Sequence, residues 1–364
     1  MIPFNKPYLT GKEAHYMYQA VYKGHISGNG QLTKKCQNFF KERWGFEHCL
    51  LTTSCTDALE MCAMLADINA GDEVIMPSFT FVSTALAFVR QGAHIVFADS
   101  RSDHPGIDEK SIEQLITPRT KAIVVVHYAG VACDMDIIMD IAKQHKLLVI
   151  EDAAQAIDSY YKGRPLGSIG HLGCFSFHET KNIQCGEGGM LCINDSRFVK
   201  RAEILWEKGT NRAEFFRGEV NKYGWIDIGS SFLPADYVAG FLLAQLENID
   251  NIQNRRKEIW NMYYEHFSNN RKYNQTLPVI PSFATNNAHM FYMVFPSFET
   301  RTEFISYYKN KQISPVFHYL SLHKSPFYEK KYTGKELPQS DRYTDCLVRM
   351  PLYYEIDIHK VLEA

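Results

Sequence analysis

Ala122-Ile-Val-Val-Val-His127, followed by the amphipathic run Asp134 to His145 and by Leu147-Leu-Val-Ile-Glu-Asp152, is the stretch that decides the fold class. Its two outer segments are short, apolar and rich in β-branched residues, as strands buried on both faces of a parallel sheet must be. Between them Ile137, Ile138, Ile141 and Ala142 recur at helical spacing and leave a polar side for solvent. The unit therefore reads strand, helix, strand. Glu73-Val-Ile-Met-Pro77 and His94-Ile-Val-Phe-Ala-Asp99 repeat the strand pattern upstream. Gly173-Cys-Phe-Ser-Phe-His178 and Gly189-Met-Leu-Cys-Ile193 continue it downstream, with a short turn between them. Such alternation predicts an α/β domain with right-handed crossovers.

From about Gln245 the pattern changes. Leu246 to Asn269 reads as one long helix with a charged centre, Asn254-Arg-Arg-Lys-Glu258. A loop, Leu277-Pro-Val-Ile-Pro-Ser282, and a strand-like Met290-Phe-Tyr-Met-Val-Phe295 follow. The expectation is a large domain over 1–245 with a mainly parallel sheet, and a smaller C-terminal α+β domain over 246–364. A length of 364 residues suits two domains.

Composition excludes several classes. A net charge of -2 with 22% charged residues gives no footprint of a nucleic-acid binder or a polybasic membrane anchor. No apolar run approaches the roughly 18 residues that span a bilayer. The start, Met1-Ile-Pro-Phe-Asn-Lys-Pro7, lacks the regions of a signal peptide. Nine cysteines without a CxxC pair, several in apolar runs such as Leu191-Cys-Ile193, read as buried free thiols. A cytoplasmic protein with no disulfide framework, no metal site, no nucleic-acid partner and no membrane contact is expected.

Parallel α/β sheets bind ligands beyond the carboxyl ends of their strands, and four features fall at such ends. Thr52-Thr-Ser-Cys-Thr-Asp-Ala-Leu-Glu60 starts a helix, with Ser54 and Asp57 at capping spacing; free amides and hydroxyls there suit a phosphate, as they also suit an ordinary capped helix. Pro77-Ser-Phe-Thr-Phe-Val82 offers an aromatic for stacking, although a core role is the commoner fate of phenylalanine. Glu151-Asp152 ends an apolar strand with two carboxylates, which require partners. One could face a pyridine nitrogen; a helix cap or a metal ligand are the alternatives. Lys181, 29 residues beyond Asp152, sits in Phe175-Ser-Phe-His-Glu-Thr-Lys-Asn-Ile-Gln-Cys-Gly-Glu-Gly-Gly189, where a lysine can hold a carbonyl cofactor as a Schiff base. A solvated surface charge is the ordinary alternative. Taken together the four are the parts of a pyridoxal 5'-phosphate (PLP) site.

Pro77-Ser-Phe-Thr-Phe81, Glu151-Asp-Ala-Ala-Gln155, Phe175 to Lys181 and Gly186-Glu-Gly-Gly189 resemble the nucleotide-sugar aminotransferases of the DegT/DnrJ/EryC/StrS family. The resemblance runs from Ile2 to the His318-Tyr-Leu-Ser-Leu-His323 segment. It implies the aspartate-aminotransferase type of PLP fold (fold type I) and a homodimer with active sites at the subunit interface. It implies that Lys181 carries PLP, that Asp152 pairs with the ring nitrogen and Gln155 with the ring hydroxyl, and that Phe81 stacks on the ring. Cys55, Thr56 and Ser176 would hold the phosphate. Many members use the asparagine of a Gly-x-Asn-Tyr-Arg run to reach the partner subunit's phosphate; here Gly229-Ser-Ser-Phe-Leu233 puts Ser231 in that place. The implied partners are L-glutamate and a nucleotide-linked keto sugar. Glu73 to Thr84, His127 to Cys133 and Lys208 to Arg212 narrow the implied reaction to C4 amination of dTDP-4-keto-6-deoxyglucose. Amination at C3, or at C4 with gluco configuration, is the alternative, and a non-catalytic binding protein on the same scaffold ranks below it. His318, Tyr319 and His323 are candidates either for the sugar pocket or for structural hydrogen bonds. Arg212 and Arg217 are candidates for an anion contact or for plain solvated charges.

Overall fold

The computed structural model describes residues 1–364. Strands β1 (Cys49–Thr52), β2 (Glu73–Pro77), β3 (His94–Ala98), β4 (Thr120–Val126) and β5 (Leu148–Asp152) build the first part of a large sheet. A two-residue hairpin, β6 (Tyr160–Tyr161) with β7 (Arg164–Pro165), stands apart, and β8 (Leu172–Ser176) and β9 (Gly189–Ile193) complete the sheet. Its seven strands lie in the order β1-β9-β8-β5-β4-β2-β3. All neighbours pair in parallel except β9, which is antiparallel to both β8 and β1. The short turn between β8 and β9 imposes that reversal, because parallel neighbours need a long crossover.

The two-sided apolar pattern places a core on each face of this sheet. Along β4, Ile123 and Val125 enter one core while Ala122 and Val124 enter the other. The helices Gln31–Trp44, Met135–His145 and Asp236–Leu246 cover the first face. Cys55–Leu65, Val82–Val89 and Val199–Trp206 cover the second. A doubly covered α/β sheet of this kind is the architecture expected from the sequence.

The C-terminal region forms a three-stranded antiparallel sheet, in which β12 (Leu347–Met350) lies between β10 (Phe291–Val294) and β11 (Val316–Phe317). The helix read from Leu246 to Asn269 is present as Ile249–Asn269, beginning three residues later, after a first helix, Asp236–Leu246, that ends at the turn over Glu247 and Asn248. The second feeds both regions, with Ile249 and Ile252 in the large core and Ile259, Trp260, Tyr263 and Phe267 in the small one. Ile2 also packs in the small core and bridges to Ile313. No helix is long and apolar enough to cross a membrane.

Candidate active site

Because β1, β2, β5 and β8 run the same way, the four chemical motifs of the sequence meet at one edge of the sheet. They line a cavity of about 640 Å³ that contains Cys55, Thr56, Phe81, Asp152, Gln155, Ser176 and Lys181. Ser231 lies outside it, in a second cavity with Lys208 and Arg212.

At one end of the main cavity the helix Cys55–Leu65 begins. Ser54 caps it, its hydroxyl accepting from the Asp57 amide at 3.1 Å. The amides of Cys55 and Thr56, in the first turn, have no carbonyl within the helix to reach. The Thr56 hydroxyl bonds Ser83 at 2.8 Å, and the Ser176 hydroxyl accepts from the His178 amide at 3.3 Å. The wall beside them is main chain: a Cβ on Gly189 would fall 2.4 Å from the Cys55 nitrogen. These donors make an anion cradle at a helix start.

The strand pleat separates the two carboxylates that end β5. Glu151 points into the core, fully buried, and accepts from the amides of Gly167 (2.8 Å), Ile169 (2.7 Å) and Gly170 (2.6 Å). It also pairs with His127 Nε2 at 2.9 Å; the Cys133 amide donates to Nδ1 of that ring, so the proton sits on Nε2. Glu151 is structural. Asp152 faces the cavity, where the Thr84 hydroxyl donates at 2.7 Å and the Ala154 amide at 3.2 Å. Burial pushes the Asp152 carboxyl up, against those bonds and the charge of Lys181. A cationic ring nitrogen would pull it back down.

Lys181 closes the turn after β8, its amide bonded to the His178 carbonyl at 2.9 Å. Burial brings its ammonium down to about 8, with the charge of Arg349 adding to the shift and Cys55 and Asp152 opposing it. The next residue anchors this turn. Asn182 donates to Gln253 (2.8 Å) and to the Asn287 carbonyl (2.9 Å), and accepts from His289 Nδ1 at 2.8 Å. Asn287 in turn donates to the carbonyls of Gln155 and Ile157, both at 2.8 Å, tying the lysine turn to the end of β5. Gln155 is fixed by the Ala129 amide at 2.6 Å and by the Tyr319 hydroxyl at 3.1 Å. Phe81 stands on the open side, 54% exposed, its ring 5.8 Å from that of Tyr319.

The small sheet supplies the opposite wall through His318, Tyr319 and Arg349. Of the histidines and arginines weighed from sequence, His318 reaches the cavity. His323 is buried away from it against the Ser78 hydroxyl at 2.7 Å, a structural role. Arg217 pairs with Glu203 and Glu219, and Arg212 stacks on Phe216; neither lines the main cavity. Sequence reasoning missed Arg349, His289 and Asn182. Arg349 had a signal, since a charge inside Leu347-Val-Arg-Met350 breaks an apolar strand just as Glu151-Asp152 does. The other two are ordinary polar residues until the fold joins them.

PLP fits this geometry. It has an anion cradle at one end, a carboxylate partnered by Thr84 at a separate point, an exposed aromatic face and a lysine whose amine burial brings toward neutrality. Cys55, Thr56 and Ser176 would hold its phosphate, Asp152 its ring nitrogen and Gln155 its hydroxyl. Comparison with known proteins agrees on the cofactor. The chain is 32% identical over 380 residues to the spore coat polysaccharide biosynthesis protein SpsC of Bacillus subtilis (strain 168), covering 100% of this chain and 96% of that one. It is 34% identical over 337 residues to GDP-perosamine synthase of Escherichia coli O157:H7, covering 91% and 88%. The crystal structure of the aminotransferase TlmJ from Streptoalloteichus hindustanus superposes with a TM-score of 0.91 at 26% identity, over 100% of this chain and 97% of that one. The DegT/DnrJ/EryC1/StrS aminotransferase family matches residues 7–363, so the chain belongs to that family and is an enzyme whose cofactor is PLP.

Proposed function

We propose that the enzyme transfers an amino group from L-glutamate to C4 of dTDP-4-keto-6-deoxy-D-glucose, giving dTDP-4-amino-4,6-dideoxygalactose. The observation that carries an amino transfer is the placement of Lys181, half-buried between the Asp152 carboxylate and a wall of His318, Tyr319 and Arg349. GDP-perosamine synthase, by its name, makes a nucleotide-linked sugar, which supports a nucleotide sugar as the acceptor here. The dTDP-linked 4-keto sugar is favoured by the motif resemblance of Glu73 to Thr84, His127 to Cys133 and Lys208 to Arg212.

PLP, when bound, supplies an electron sink for the carbon that gains or loses the amine. The chain supplies the rest. Asp152, as a carboxylate, favours a proton on the ring nitrogen. The Lys181 amine takes a proton from the donor's α-carbon and returns it on the cofactor side, acting first as base and then as acid. Burial suits it to both duties by holding its proton affinity near that of the medium. Phe81 would cover a face of the ring, and Gln155, held by the Ala129 amide and the Tyr319 hydroxyl, would meet its hydroxyl. We assign Ser231 to a phosphate contact across a homodimer, in place of the usual asparagine.

The test is to incubate the protein, PLP and L-glutamate with dTDP-4-keto-6-deoxyglucose and determine the product by NMR. An axial C4 amine is expected. No amination overturns the proposed substrate, and an equatorial C4 amine or a C3 amine overturns the proposed product.

A further inference from the structure

His289 meets the main cavity with one ring nitrogen committed and the other free. It lies just before β10 and is buried, yet it lines the cavity together with Lys181. Asn182 Nδ2 donates to the Gln253 side chain and to the Asn287 carbonyl, which leaves Asn182 Oδ1 to accept from His289 Nδ1 at 2.8 Å. Nδ1 therefore carries the ring proton. Burial keeps the ring from taking a second one, as do the charges of Lys181, Arg349 and Arg256 and the nearby His318. The bond to Asn182 is the only one the ring makes, so Nε2 is a bare acceptor. Lys181 is likewise bonded through its amide alone, and its amine has no protein partner.

The ring is held more firmly than a brace for one asparagine requires. The His289 amide donates to Asn287 Oδ1 at 3.0 Å, and the Ala288 amide donates to Asn286 Oδ1 at 2.8 Å. The buried guanidinium of Arg256 donates to the carbonyls of Ala288 (3.1 Å) and His289 (2.6 Å). Ala288 itself sits at a φ of 52°, the left-handed region that a residue with a Cβ seldom adopts. Backbone strain that surrounding bonds hold in place is a mark of a functional position. Here the strained residue immediately precedes the histidine.

We propose that His289 is a positioning residue for Lys181, its Nε2 accepting a hydrogen bond from the lysine amine whenever that amine is free of the cofactor. A neutral amine has two N–H bonds and one lone pair. Holding one N–H on His289 removes most of the amine's rotational freedom and so orients the lone pair for the donor's α-proton. Once that proton is taken, the ammonium keeps the bond to His289 and returns a proton on the cofactor side. The lysine gains one proton and loses one; His289 gains and loses none. A neutral acceptor suits this duty better than a carboxylate, which would hold the ammonium form and oppose the return. Asp152 is committed to Thr84 and Ala154, and burial pushes the Cys55 thiol up, so neither of these neighbours of Lys181 takes the place of His289.

This inference rests on the reading of Lys181 as the group that moves the α-proton, but its first measurement needs neither glutamate nor sugar. Full-length apoenzyme labelled with ¹⁵N-histidine is compared by NMR with the same protein after PLP uptake, and His289 is assigned by the signals that His289→Gln lacks. A bare Nε2 is expected, hydrogen-bonded in apoenzyme and released once PLP occupies the lysine. An Nε2 that carries a proton, or one that PLP leaves unchanged, overturns the proposal. The second measurement is the donor half-reaction of holoenzyme, followed by cofactor absorbance. Asparagine at 289 keeps an amide nitrogen for Asn182 and has no atom at the Nε2 position; glutamine reaches that position and gives up the bond to Asn182. His289→Asn is expected to slow the half-reaction about 30-fold, to leave the Kd for glutamate within about twofold, and to enlarge the isotope effect of α-deuterated glutamate. His289→Gln is expected to stay within about fivefold of wild type. The reverse order, with glutamine the more damaging, makes the ring a brace for Asn182 only and overturns the proposal. If His289→Asn does not retain PLP, the NMR comparison and His289→Gln decide.

Discussion

Lys181 owes its chemistry to its surroundings. An ordinary lysine at pH 7 is neutral in about one molecule in 2,500, whereas one titrating near 8 is neutral in about one in ten. Attack on a carbonyl needs the neutral amine. The rate at which apoenzyme takes up PLP should therefore climb about tenfold per pH unit up to pH 8 and level off above it, as read by stopped-flow absorbance. A rise that continues unbroken toward pH 10 would contradict the buried setting. Borohydride reduction followed by peptide mass analysis should then find the pyridoxal label on Lys181 at pH 8, and Lys181→Ala should leave no labelled peptide. The acidic pair beside it separates two kinds of residue by the same logic. Glu151 satisfies three amides and His127, so Glu151→Ala strands all four and should cost about 3–5 kcal/mol in urea unfolding. Asp152→Asn keeps the size and can still accept from Thr84; it should unfold within about 1 kcal/mol of wild type while abolishing amino transfer.

At the scale of elements, the legible parts were those whose chemistry repeats along the chain. Strands buried on both faces announce themselves by composition, and β2, β3, β4, β5, β8 and β9 fall within a residue or two of their sequence readings. Capping at Ser54 was equally readable, because Ser54 and Asp57 are neighbours along the chain. The exact start of the long helix was not, since Leu246, Ile249 and Ile252 run into the same large core on both sides of the turn at Glu247 and Asn248. Neither was the acidic pair resolved, because alternation says that two adjacent side chains diverge without saying which one finds water or ligand. The brace of Asn182, His289 and Asn287 joins residues 105 or more positions from the lysine turn. Long-range polar contacts of that kind leave no periodic trace.

At the scale of the whole molecule, one surface remains open. Phe216, Trp225, Ile226 and Ile228 are 69%, 83%, 55% and 52% exposed, on the segment that leads into Ser231. Phe216 and Ser231, at the two ends of that segment, line the second cavity with His25, Ser27, Gly28 and Asn29. Apolar exposure on that scale marks an interaction face, and we assign it to a second copy of this chain. Trp225→Asp combined with Ile228→Asp is expected to shift the protein to monomer by light scattering after size exclusion, with weaker PLP retention because Ser231 is withdrawn. Monomeric wild type at micromolar concentration would remove this assignment.

Gly189 carries a consequence for how far this site can vary. It begins the single reversed strand of the sheet and lies against Ser54 and Cys55, so that wall of the phosphate cradle is made of peptide units. A wall without side chains has nothing to exchange, and a methyl group added there collides. Its shape is inherited with the strand pairing itself. Differences in phosphate grip among descendants of this chain must then arise on the facing side, from the hydroxyls of Thr56, Ser83 and Ser176. One half of the cradle belongs to the architecture, and only the other half is open to selection.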